Sequence, residues 1–419
     1  MKKNNRKQRK EEKEKVNKIS DVKMAYIMYG KKVFVIPIVI AIILGAVIWG
    51  IVYNTRKNNA PQESANNQKE QINYIWGEIK PGKKNDKNYT TVTSADGIQV
   101  PVPTGYTASS ASDENSVSGG FVIYEGTEAV TDSNKWDAQC NRNQYVWIPI
   151  ANVSDMYWRD QTTGKKYGTW YNFSKSATTY EKGANHSYEP QTTSIDIQST
   201  NLTQYLNGMS REDFLMEMEI DFDKMLNSVA TYGGYYIGRY ETGDLSQATP
   251  VVKRINTDIN NQTWYTMWKK ARKLSGTSAG AQMIWGIQWD ETLKWLIDIG
   301  EKTYAEIASD STSWGNYINN SFTYYTNTSK STATKASNSN IIIPSGAYEG
   351  TNANNIFDLA GNMSEWTLES YILKANYGRT YRSGFFSGNG YQVTASYRYY
   401  HTPNFIDNDI GLRCSLFIK

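Results

Sequence analysis

The stretch Asn355-Ile356-Phe357-Asp358-Leu359-Ala360-Gly361-Asn362-Met363-Ser364-Glu365-Trp366-Thr367 decides how the rest of the chain is read. Gly361 supplies a backbone conformation that other residues avoid. Asn362 beside it is suited to hydrogen-bond neighbouring backbone in a tight turn. Glu365 and Trp366 are placed to fix the segment beneath a sheet. Downstream, Arg398 and Arg413 are candidates to pair with buried carboxylates such as Glu365, because the guanidinium fork meets a carboxylate at two points. The first reading of all these residues is structural.

On the N-terminal side, three apolar stripes have helical spacing. Phe214, Leu215, Met218, Phe222, Met225, Leu226 and Val229 predict a helix over 211–229, opened by the capping pattern Ser210-Arg211-Glu212-Asp213. Trp264, Met267, Trp268, Ala271 and Leu274 predict a second, with Gly276 placed to stop it. Trp289, Leu293, Leu296 and Ile297 predict a third, ended at Gly300. On either side of these three, 160–209 and 303–350 are Ser/Thr/Asn/Tyr-rich without periodicity and read as insertions or loops. Pro101 and Pro103 mark Gly97–Pro103 as an edge strand or extended segment.

Charge is uneven. The formal net charge is +4, yet residues 1–32 carry twelve Lys/Arg against four acids. A basic tail on a mildly acidic body is an address signal rather than a nucleic-acid footprint, so no nucleic-acid partner is expected. Val33 to Tyr53 is an uncharged run of 21 residues, and ~20 suffice for a helix to span a bilayer. It is too long for a signal-peptide core and no small-residue cleavage pattern follows. The expectation is a single-pass membrane protein: tail 1–32 cytoplasmic, helix 33–53, polar linker 54–72, and everything beyond outside the cell.

The segment 355–367 resembles the D-M-x-G-N-V-x-E-W signature of the formylglycine-generating-enzyme (sulfatase-modifying factor) family. Other blocks resemble that family in order: Tyr145-Val146-Trp147-Ile148-Pro149, Tyr235–Thr242, the Trp264–Leu274 helix, Gln288–Leu293, Tyr381–Phe385, Ala395–Arg398 and Gly411–Cys414. The resemblance covers about 144–419, with 73–143 as a β-rich extension. It implies an α+β, C-type-lectin-like fold with much irregular structure.

The resemblance also frames the chemistry. The family's oxidases hold copper between two cysteine thiolates shortly before the terminal G-F-R-C block. Here 390–401 contains no cysteine, and the chain has only Cys140 and Cys414. A sister branch holds iron with three histidines, whereas this chain has two, His186 and His401. Neither copper nor iron is expected. The family's calcium ligands carry over to Glu241, Asp358 and the carbonyls of Gly361 and Met363. Plain salt-bridge or capping roles for Glu241 and Asp358 stand equally open.

The tail carries Tyr381, Phe386, Tyr391, Tyr397, Tyr399, Tyr400 and Phe405, interleaved with Asn389, His401 and Asn404. Tyrosine with small hydrogen-bonding neighbours makes adaptable binding surfaces. Relatives with such an ending include variable proteins of diversity-generating retroelements and membrane-anchored bacterial surface proteins. The expected function is recognition of an extracellular protein or glycan, or adhesion, without catalysis. An enzyme with rewired chemistry and a structural part of a surface or pilus-like assembly are the alternatives.

Overall fold

Several strand sequences are continuously apolar rather than alternating, which places them in a layer covered on both faces. Gln144–Pro149, Gly234–Gly238 and Cys414–Ile418 are buried along their whole length. The structure, a computed structural model, describes residues 88–419 except 184–188, 191–196, 258–260 and 372–377. All described residues belong to the unit Ala65–Lys419. The tail 1–32, the span 33–53 and the linker 54–72 therefore lie outside the described residues. Among the described residues no helix is long and apolar enough to cross a membrane.

The three buried strands form the centre of a six-stranded antiparallel sheet. Its order is Ala279–Met283, Cys414–Ile418, Gly234–Gly238, Gln144–Pro149, Val122–Glu125 and Tyr106–Ala108. The C-terminal strand is thus second from one edge, so the chain's last residues complete the sheet. The 106–125 segment, expected as an extension, adds two strands to the opposite edge. Its Glu114 is tied to the interior by Arg239 Nη1 at 2.6 Å, and both groups are buried. Gln99–Pro103 pairs only with Tyr89–Thr93, which fits the two prolines to a ladder with a free side.

The predicted helices are present. Arg211–Tyr232 starts where Ser210 Oγ accepts the Asp213 N–H at 3.0 Å and ends at Gly233, with φ at 80°. Trp264–Ala271 continues into a 3₁₀ turn, Arg272–Leu274, before Gly276. Gly286–Asp298 ends near Gly300, with φ at 77°. Tryptophan fills the space between helices and sheets: Trp147, Trp264, Trp268, Trp285, Trp289, Trp295 and Trp366 are fully buried.

The reading of 160–209 and 303–350 as loops is corrected. The first region holds the paired strands Lys166–Gly168 (with Tyr157–Arg159), Tyr171–Asn172 and Glu181–Lys182, and the helix Ser199–Leu206. The second holds the helix Tyr304–Ala308 and the hairpin Phe322–Tyr325 with Thr332–Lys335. Elements this short produce no extended periodic signal.

A second sheet positions the tail. Its order is Arg398–His401, Arg379–Arg382, Ser364–Ser370 and Ile410–Leu412. The signature segment feeds directly into Ser364–Ser370, which pairs parallel with Ile410–Leu412 and antiparallel with Arg379–Arg382. Arg398–His401 is left at the edge.

Candidate functional site

The signature turn is built on three left-handed residues: Asp358, Gly361 and Asn362, with φ at 59°, 74° and 57°. A Cβ at Gly361 would strike the Asn316 carbonyl, so the position needs glycine on two counts. Asn362 Nδ2 donates to Glu241 Oε2 at 2.6 Å, and Met363 N–H donates to Glu241 Oε1 at 3.0 Å. Asp358 Oδ2 accepts the Gly346 N–H at 2.7 Å and the Ser345 hydroxyl at 3.1 Å. Its Oδ1 makes no hydrogen bond, with the Thr351 hydroxyl beside it. Arg413 clasps Glu365 through Nη2 at 2.6 Å and Nε at 2.9 Å. It also donates to the carbonyls of Gly238 and Phe357.

Three buried carboxyls here share one arginine. Burial, then repulsion from Asp358 and Glu365, raises Glu241 well above the ordinary carboxylate range. Burial also raises Asp358. Glu365 is pushed up to about 7 by burial, against the pull of Arg413. The calcium expectation for Glu241, Asp358, Gly361 and Met363 fits poorly with this donor set. Both Glu241 oxygens already accept N–H groups, which a cation would have to face. A hard cation takes ~6–8 oxygen ligands. Among the described residues no cluster of three His, Cys, Asp or Glu side chains could hold a metal.

Arg413 pairs with Glu365, and Arg398 pairs with other buried carboxylates, Asp290 and Glu369, rather than with Glu365. Arg398 reaches Asp290 at 2.8 Å and Glu369 at 3.3 Å, while Arg382 also binds Asp290, at 2.7 Å. Asp290, Glu369 and Arg382 are buried, and Glu189 joins them by capping the Gly286–Asp298 helix through the Gly286 and Ile287 amides. Sequence reasoning missed this cluster, although Asp290 and Arg382 sit inside quoted blocks. Pairing across about ninety residues leaves no local signal.

The tail divides in two. Phe386, expected in the binding face, is only 4% exposed and packs with Met363 in a small core cluster. Its apolar ring simply finds interior space beside the signature turn. Tyr391 is 49% exposed but joins none of the ring stacks below, and its carbonyl accepts Lys175 Nζ at 2.6 Å. Asn389 donates to Gln392 Oε1, and Asn404 is exposed.

The remaining rings are brought together on the edge strand and its neighbours. Tyr371, Tyr400, Tyr399 and Tyr397 form a nearly parallel series with centroid steps of 3.8, 5.0 and 5.9 Å. Tyr381 lies 5.8 Å from Tyr399 and rests edge-on against buried Trp366 at 5.3 Å. His401 stacks on Phe405 at 3.5 Å. Tyr371 was not singled out in the sequence, where it stands apart from the other tail aromatics.

Neither cysteine is disposed to metal or redox work. Cys140 and Cys414 are buried free thiols. Burial pushes Cys414 up to about 12 and also raises Cys140, so neither thiol readily yields a thiolate. Two cavities, of about 590 and 660 Å³, lie against the Arg211–Tyr232 helix and include no residue between 379 and 409.

A family model described as a sulfatase-modifying factor enzyme 1-like domain matches residues 99–416. No curated protein matches the chain. Among solved structures, CarF is similar at 16% identity and a TM-score of 0.30, covering 44% of this chain and 87% of its own. Treponema denticola variable protein 1 is similar at 15% identity and a TM-score of 0.29, covering 44% of this chain and 84% of its own.

Proposed function

From a chain that belongs to the sulfatase-modifying factor enzyme 1-like domain family, and that gathers part-exposed aromatic rings on one sheet edge, we propose a non-catalytic recognition protein. It binds an extracellular protein or glycan ligand through the tail, held at the bacterial cell surface by the 33–53 span with its basic N-terminus inside.

One observation carries the reading. Tyr399 is 43% exposed on the edge strand and continues a series of part-exposed rings, with Tyr397 on one side and Tyr400 and Tyr371 on the other. Scattered single apolar residues are ordinary, whereas a contiguous series marks a contact surface. The rings rest on a rigid base, because Trp366 and the Arg382–Asp290–Arg398 cluster fix the strands beneath. The buried signature residues serve as their scaffold.

The test is an array of glycans and extracellular proteins probed with the full chain and with Tyr399→Ala, alongside turnover assays on cysteine peptides. The expected outcome is ligand signal that the variant loses, with no turnover. Turnover with wild-type chain, or self-association with no ligand, would displace the reading in favour of an enzyme or an assembly component.

A further inference from the structure

The cavity of about 660 Å³ has an exposed rim and a buried floor. Lys224, Asn227, Thr231 and Ser275 stand at the rim, and Gln282 and Phe417 lie beneath. Its walls are the Arg211–Tyr232 helix and the strands Ala279–Met283 and Cys414–Ile418. Successive strand residues point to opposite faces of a sheet. Gly280 pairs with Phe417 and Gln282 with Ser415, so these four share one face. A Cβ at Gly280 would come within 2.3 Å of the Phe417 ring, so the glycine lets that ring lie across the strand. Gln282 follows two residues on, beside the ring and on the face that the cavity covers.

Gln282 is 1% exposed, and neither its Oε1 nor its Nε2 makes a hydrogen bond among the described residues. Its polar neighbours are already engaged. The Ser415 hydroxyl donates to Gln288 Oε1 at 2.9 Å. Ser275 Oγ accepts the Ala281 N–H at 2.8 Å, and Ser228 Oγ accepts the Ile418 N–H at 2.9 Å. Buried polar groups are nearly always paired, so an amide left open at both atoms on a cavity floor is set to take a ligand's polar edge. The charges of the wall satisfy one another: Arg272 meets Asp221 at 2.9 Å and also binds Glu217, while Lys224 lies 3.7 Å from Asp221. Lys419 Nζ donates to the Gly276 carbonyl. A ligand therefore gains little by carrying charge.

A glutamine amide presents a donor and an acceptor side by side in one plane. Its complement is a planar group with both on one edge, as in a primary carboxamide or a lactam ring. The adjacent hydroxyls of a sugar stand on a puckered ring and match that plane less well. Phe417 offers an apolar surface to the flat body of such a ligand, and the volume is that of an ordinary small-molecule site.

We propose that this cavity, which shares no residue with the tyrosine-rich tail, is a second binding site. It takes a neutral planar small molecule whose carboxamide or lactam edge pairs with Gln282 through two parallel hydrogen bonds, while Phe417 lies against its ring.

The experiment is isothermal titration calorimetry on the full chain with nicotinamide and uracil, with their N-methylated counterparts, which lack the donor, and with glucose. Nicotinamide or uracil should bind, its methylated counterpart should bind roughly tenfold more weakly or worse, and glucose should not bind. Gln282→Leu should erase the difference between each ligand and its methylated counterpart. The same variant, without ligand, should melt no lower than the wild-type chain, because it removes a buried amide that has no partner. Failure of both nicotinamide and uracil to bind, or equal binding of the methylated forms, overturns the proposal. Glucose binding that needs Gln282 would assign the cavity to a polyol and overturn the amide assignment. A marked fall in the melting temperature of Gln282→Leu would show that the amide is held within the fold, and it too overturns the proposal. None of these outcomes bears on the tail, whose reading stands or falls with Tyr399→Ala.

Discussion

All three guanidinium nitrogens of Arg413 are engaged: Nε and Nη2 with Glu365, Nη1 and Nη2 with the Gly238 and Phe357 carbonyls, all buried. Replacing it with methionine keeps bulk but leaves Glu365 without its partner. Breaking a buried pair from one side costs about 3–5 kcal/mol, so Arg413→Met should lower urea-denaturation stability by that order. Little change would mean the pair is dispensable. Protons matter at the same scale. Burial pushes Glu291 and Glu365 up to about 7, while an unfolded glutamate titrates near ~4.3. Between those values the folded chain binds more protons than the unfolded one, so stability falls as pH rises through the window. Glu114 works oppositely: burial pushes it up, but Arg239 and hydrogen bonds win and hold it low. The denaturation midpoint should be higher at pH 5 than at pH 8. Glu291→Gln, which cannot ionise, should shrink the difference, and an unchanged slope would clear Glu291 of the effect. The structural roles of Gly361, Asn362, Glu365, Trp366 and Arg413 were legible because backbone strain and charge burial are local demands. The particular partners of Arg398 were not, since Asp290 and Glu369 are brought to it by a helix and a strand distant in the sequence.

The helices were readable from stripe and cap, because Ser210 and the 3.6-residue apolar spacing act within one segment. The hairpins within 160–209 and 303–350 were invisible, being too short to establish a period. The edge position of Gln99–Pro103 followed from its prolines, whereas that of Arg398–His401 is set by which strands the sheet already holds. The turn from Asp358 to Trp366 was readable as a turn, but the state of its carboxylates was not. Glu241 spends both oxygens on N–H donors from that turn. The chain's melting temperature should therefore be the same in millimolar calcium and in EDTA. A calcium-dependent rise would show that those donors give way to a cation.

Across the whole molecule, sequence blocks in a fixed order reported the family, since each block packs against the others around one core and they are placed together or not at all. The function was less legible. Composition flagged the tail, but only the fold separates buried Phe386 and the detached Tyr391 from the ring series on the edge strand. The signature residues are buried and the tyrosines lie part-exposed on the sheet edge, and the proposed binding falls to the latter. The most direct measurement is ligand affinity and melting temperature, taken side by side, for the full chain and its Tyr399→Ala variant. The account predicts that affinity is lost while the melting temperature stays within ~2 °C, as for a surface substitution. Retained affinity, or a collapse of stability together with binding, would contradict it.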